Sequence, residues 1–121
     1  MSNLVSDFNA YRSKMNDKLL ADSNKIIKRI FNLDTNAFTE GALPKTTKEL
    51  IGLSNSMVLR CDDCVRYHLE ACFNLGLTKA QVVESLSIAT LIGGTIVIPH
   101  LRRAYEYWEA LEVQANQETN L

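Results

Sequence analysis

The sequence has no excess charge of either sign: 13 Lys and Arg stand against 14 Asp and Glu, a formal net charge of -1. A nucleic-acid partner is not expected, because phosphate recognition needs a concentrated basic surface. The densest basic stretches, Lys25 to Arg29 and Arg102 to Arg103, sit among apolar residues at helical spacing and read as solvated helix faces. Long apolar runs are also missing. The greasiest segment, Leu86 to Leu101, is broken by Ser87, Thr90, Gly93, Gly94, Thr95, Pro99 and His100, and falls short of the roughly 20 apolar residues that cross a bilayer. It reads as core, with no membrane partner. Cysteines are few and odd in number, three in all, which argues against the disulfide framework of a small secreted domain. Met1-Ser2-Asn3 lacks the charged and apolar regions of a signal peptide, so a cytoplasmic location is expected. No window alternates with period two, and neither solenoid repeats nor low-complexity tracts occur.

What is present is helical periodicity along 121 residues, a length suited to one domain over 1–121. Leu4, Val5, Phe8, Tyr11 and Met15 form one stripe; Leu19, Ile26, Ile27, Ile30 and Phe31 suggest a second helix after Asp17, completing N-terminal helices over 1–33. Asp34-Thr35-Asn36, Gly41 and Pro44 mark a loop from about 33 to 45. Thr46 and Glu49 have capping-box spacing, and so do Thr78 and Gln81, with Leu77 and Val82 placed as a hydrophobic staple. Gly76 and Gly93-Gly94 are helix stops. A last helix is expected over Thr95 to Glu112, with Tyr105, Trp108 and Leu111 on one side and a frayed tail from Gln114 to Leu121. The segment Ile96-Val97-Ile98 with Tyr105, Tyr107 and Trp108 is more apolar surface than a small helical monomer buries easily, so a homo-oligomer is expected.

The chemistry-bearing residues are Glu49, Cys61, Cys64 and His68. Offsets of three and seven return Cys61, Cys64 and His68 to within about 60° on a helical wheel. His68, four residues after Cys64, can accept the thiol proton and then stabilise the thiolate, which is the reactive form. Glu49 fits this picture only if the chain turns. On a continuous helix its Cα would stand ~18 Å from that of Cys61, whereas Arg60-Cys61-Asp62-Asp63 permits a break that starts a new helix at the thiols, running to about Leu75. If no turn occurs, Glu49 is only a cap for Thr46.

The spacing of Glu49, Cys61, Cys64 and His68 resembles the E-x11-C-x-x-C-x3-H signature of the alkylhydroperoxidase D-like branch of the carboxymuconolactone decarboxylase family. Lys48-Glu49-Leu50-Ile51-Gly52-Leu53 before it, and Leu75-Gly76-Leu77-Thr78 through Gly93-Gly94 after it, extend the similarity over residues 38–112. The resemblance implies an all-α fold of about six helices, assembled as a homotrimer or homohexamer. It implies a dithiol that reduces peroxides and is re-reduced by a dithiol partner such as a lipoyl-domain protein, with no cofactor. By the same resemblance Cys64 attacks peroxide and becomes a sulfenic acid, Cys61 resolves it to a disulfide, and His68 exchanges protons with Cys64 while Glu49 holds or charges the imidazole. The chain departs from the best-known peroxidases by carrying Asp62 and Asp63 where they have a histidine just before the second cysteine. A carboxylate there disfavours the thiolate. The decarboxylase branch lacks the cysteine pair, so that activity is not expected.

Other readings of the same residues remain open. Cys61, Cys64 and Cys72 share a face with Met57, Val65 and Leu69 and fit a buried core, and Cys72 matches no signature position. Cys61, Cys64 and His68 also offer three zinc ligands, with Glu49, Cys72 or a neighbouring subunit as the fourth. A non-enzymatic helical oligomerisation module would explain the apolar stripes alone. His100, after Pro99, reads as a helix N-terminal or interface residue.

Overall fold

The computed structural model describes residues 4–119. The Met1-Ser2-Asn3 segment and the last two residues of the C-terminal tail lie outside them. Six α-helices follow one another: α1 (Leu4–Asp22), α2 (Lys25–Ala37), α3 (Lys45–Val58), α4 (Asp62–Asn74), α5 (Lys79–Gly93) and α6 (Ile98–Thr119), with a 3₁₀ turn at Thr95–Val97 before α6. Among the described residues there is no strand, as the periodicity predicts, and no helix is long and apolar enough to cross a membrane.

Several boundaries differ from the sequence reading. The first helix continues past Asp17 and takes in Leu19; the break comes at Asn24, whose side chain accepts the backbone N–H groups of Ile26 and Ile27. Helix α2 absorbs Asp34-Thr35-Asn36, because Thr35 and Asn36 bond back one turn instead of forming a reverse turn. Helix α3 starts after Pro44 with no side-chain cap, so Thr46 and Glu49 form no capping box. The box at Thr78 and Gln81 does form. The expected fraying after Gln114 is absent through Thr119, where α6 stays helical.

The core lies where α3 packs on α4 and α5, and α4 on α6. Leu53, Met57, Leu69, Leu86, Val97 and Tyr107 are fully buried there, each worth about 1.5–3 kcal/mol for the larger apolar side chains. Edge-to-face pairs, Phe8 on Tyr107 at 5.8 Å and Phe73 on Trp108 at 5.2 Å, tie α1 and α4 to α6. The apolar surface left over is only partly where the sequence put it: Ile96 and Tyr105 are exposed as expected, but Val97, Tyr107 and Trp108 are inside. Ile88, Leu91 and Ile92 stand exposed as well, and α2 fully buries no residue.

Candidate active site

The turn between α3 and α4 builds the site. Cys61 N–H bonds Ser56 O and Arg60 N–H bonds Met57 O, the paired bonds that close a helix with a left-handed residue after its cap. The same closure ends α4, where Gly76 takes the left-handed position at φ 83°. Between α3 and α4 that position belongs to Arg60, at φ 60°, a conformation costing a side-chain-bearing residue about 1–2 kcal/mol. The reversal makes Cys61 both the residue that closes α3 and the N-cap of α4. Its Sγ accepts the Cys64 backbone N–H at 3.3 Å.

Folding α3 back brings Glu49 against His68. Nδ1 of His68 lies 2.8 Å from Glu49 Oε1, and Lys45 Nζ donates to Glu49 Oε2 at 3.1 Å. Glu49 is 1% exposed and His68 is buried, so the capping reading of Glu49 is replaced by a buried charged hydrogen-bond chain. An ionised carboxylate only accepts, which places the imidazole proton on Nδ1 and leaves Nε2 free to take another. The ring is held by Phe38 at 5.1 Å and Tyr67 at 5.3 Å between centroids.

Cys61 and Cys64 form a disulfide with their Cα atoms 5.3 Å apart. Cys64 is exposed and shares an open depression of about 220 Å³ with His68, Tyr67, Arg12, Asp34 and Asp63. Cys61 is more sheltered and sits at the positive end of α4, where negative charge on sulfur is favoured.

Asp62 does not act as a bare carboxylate beside the thiols. It accepts hydrogen bonds from His100 Nδ1 and Arg103 Nε, each at 2.8 Å. Burial would raise its pKa, but these bonds and the two positive partners outweigh that and hold it below the usual carboxylate value. His100 thus lies in the first turn of α6 and braces that helix against the start of α4. Of the two intervening acids, only Asp63 remains exposed without such bonding.

Sequence reasoning missed Gly52. A Cβ there would lie 2.6 Å from His68 Cε1, 2.8 Å from Nε2 and 2.9 Å from Nδ1, so the imidazole lies flat on α3 because position 52 has no side chain. The signal was its position three residues after Glu49, one helical turn along the same face.

Cys72 keeps its structural reading. It is free, fully buried, and its pKa is pushed up to about 12 by burial and by the nearby Glu49 charge. The native chain therefore holds Cys72 as a neutral thiol. Iodoacetamide at pH ~8 is expected to alkylate Cys61 and Cys64 of the reduced protein and to reach Cys72 only after unfolding, as read by peptide mass spectrometry; native labelling of Cys72 would refute its burial. Above the ordinary value of 9.0 the unfolded chain loses this proton while the folded chain keeps it, so this group lowers stability as pH rises toward 12.

Among the described residues no three His, Cys, Asp or Glu side chains are grouped to hold a metal ion. The zinc arrangement is not formed: the two sulfurs bond each other, and His68 Nδ1 is engaged by Glu49.

Known proteins resemble this chain in sequence and in fold. A solved Thermotoga maritima protein, described as a carboxymuconolactone decarboxylase family member and a candidate participant in the antioxidative response, is 44% identical, with 93% of this chain and 95% of that one covered and a TM-score of 0.89. A Legionella pneumophila member of the family is 25% identical over 90% of this chain and 97% of its own, with a TM-score of 0.82. An alkyl hydroperoxide reductase AhpD of Corynebacterium kroppenstedtii is 36% identical over 51% of this chain and 36% of its own length. An uncharacterised Cupriavidus necator protein is 33% identical over 62% of this chain and 66% of its own. The chain thus spans between about a third and two thirds of the curated relatives it matches. The sequence model of the carboxymuconolactone decarboxylase family matches residues 25–107, which hold the whole Glu49–Cys61–Cys64–His68 arrangement, and the chain belongs to that family.

Proposed function

We propose that the chain is a dithiol peroxidase of the alkylhydroperoxidase type, acting through Cys64, Cys61, His68 and Glu49. The observation that carries this reading is the exposed Cys64 of a disulfide-forming pair, in one depression with a histidine whose far nitrogen is fixed by a buried carboxylate. In the reduced protein Nε2 of His68 takes the Cys64 proton, and the thiolate attacks the terminal peroxide oxygen. The O–O bond breaks, the alkoxide leaves with the proton returned by His68, and Cys64 becomes a sulfenic acid. Cys61 then attacks Cys64 Sγ; the hydroxyl leaves as water with the Cys61 proton and the disulfide closes. Two electrons pass from the dithiol to the peroxide.

A dithiol partner such as a lipoyl-domain protein returns them. Attack on Cys64 would expel Cys61 as thiolate, which the α4 N-terminus favours. Assembly as a homotrimer or homohexamer would cover the exposed Ile88, Leu91, Ile92 and Ile96. The pairing of Asp62 with Arg103 and His100 answers, for Asp62 alone, the objection that an acid beside the thiols suppresses the thiolate; Asp63, in the depression with Cys64, still opposes it.

The test is single-turnover peroxide consumption by fully reduced protein, with the disulfide followed by mass spectrometry. One peroxide consumed per dithiol is expected, and Cys64→Ser should lower the rate by about 10³-fold or more. Persistence of both thiols alongside unconsumed peroxide would refute the proposal.

A further inference from the structure

Tyr67 stands between two cavities. On one side is the Cys64 depression; on the other is a larger one of about 360 Å³, lined by Asn9, Arg12, Lys45, Glu49, Glu70 and Asn74. Arg12 and Tyr67 line both. The size of the second cavity suits a small organic molecule.

Its hydrogen-bond inventory is one-sided. Glu70 accepts from Asn9 Nδ2 at 3.0 Å with both oxygens and from the Tyr107 hydroxyl at 3.2 Å. Glu49 accepts from Lys45 and His68. Both carboxylates are thus occupied. Arg12 is different: its guanidinium lies 4.6 Å from the Tyr67 ring centre and 5.5 Å from that of Phe8, yet among the described residues it meets no carboxylate. These cation–π contacts hold the guanidinium beside the two rings, and among the described residues no acceptor is paired with its N–H donors. Lys45, held on Glu49, adds a second cation to the same cavity. Helix α1, which carries Arg12, lies outside the residues 25–107 that the family model matches.

We infer that the larger cavity is a carboxylate-binding subsite beside the dithiol, with Arg12 as the principal contact and Lys45 as a second cation. It rests on the dithiol reading above and names a substrate class for it: an organic hydroperoxide or disulfide bearing a carboxylate some distance from its reactive bond. Asp34 and Asp63 line the Cys64 depression with no donor bound to them among the described residues and disfavour an anion there, whereas Glu49 and Glu70 of the larger cavity are each held by donors and Lys45 adds a cation. The carboxylate therefore sits beyond Tyr67, where a guanidinium fork pairs with both of its oxygens, and the reactive end reaches back to Cys64.

The experiment compares two disulfide reagents on fully reduced protein: dithiobis(nitrobenzoate), with a carboxylate on each ring, and dithiodipyridine, with none. In both, Cys64 thiolate attacks a reagent sulfur and expels one arylthiolate. Cys61, losing its proton to solvent, then displaces the second and closes the protein disulfide. Because Arg12 also lines the Cys64 depression, the readout is the ratio of the two rates: Arg12→Gln is expected to lower the rate with the carboxylated reagent about tenfold more than the dithiodipyridine rate. Arg12→Lys, which keeps the charge, should recover part of the loss. An equal fall with both reagents would make Arg12 merely structural, and no change with either would leave it uninvolved; each result overturns the subsite. A wild-type protein inert to both reagents would instead remove the dithiol reading, and the inference with it.

Discussion

Gly52→Ala is expected to reduce stability and thiol reactivity together. The added methyl would meet three His68 ring atoms at 2.6–2.9 Å, and the ring cannot swing away freely because Glu49, Phe38 and Tyr67 hold it. Relief requires breaking the Glu49 bond. Overpacking of about 1–3 kcal/mol and loss of a charged buried hydrogen bond of similar size give an expected destabilisation of about 2–6 kcal/mol. The single-turnover rate should fall about 10²-fold with the misplaced imidazole. Urea denaturation of the disulfide form and peroxide consumption by the reduced form read the two effects. Gly41→Ala is the control, since its added methyl meets only Lys48 Nζ at 3.5 Å, and it should be nearly neutral. An unchanged midpoint for Gly52→Ala would show that position 52 does not seat the imidazole.

The second large effect lies in the pair itself. His68→Ala leaves Glu49, 1% exposed, with Lys45 as its remaining partner, and should destabilise by about 3–5 kcal/mol through the buried charge. Glu49→Ala strands a buried Nδ1–H and is expected to cost about 1–3 kcal/mol. Together the two changes should cost less than the sum by about 1–3 kcal/mol, because the penalty of each is largely the stranding of the other. Chemical denaturation of the disulfide form at neutral pH measures all four proteins. Strict additivity would mean that the 2.8 Å contact carries no coupling.

These expectations turn on a contact between residues 19 apart in sequence, and only part of it was legible beforehand. The all-helical class was readable because the apolar spacing fixes which faces can be buried, and the caps at Thr78 and Gly76 are local hydrogen-bond chemistry that short segments specify. The extents of α2 and α6 were misread because short polar residues such as Thr35 and Asn36 serve turns and helices equally well. Residues 114–119 form helix despite their polar composition. The surplus apolar surface was placed rightly at Ile96 and Tyr105 but not at Tyr107 and Trp108, whose burial depends on α1 and α4 lying over α6.

The sequence by itself determined part of the site's register: Cys64 and His68 share a face because a four-residue offset does so in any α-helix, whereas Cys61, the extended N-cap of α4, is brought to Cys64 by the turn. It also left open whether the chain turned after Arg60. Tertiary structure decided everything that depends on that turn. Glu49 became a buried partner of His68 rather than a cap, Asp62 was claimed by Arg103 and His100 from α6, and the bare side of Gly52 became the seat of the imidazole. Periodicity reports which face of a helix is apolar, whereas a hydrogen bond between two helices depends on how the helices are set against each other, and that is fixed by packing across the whole core.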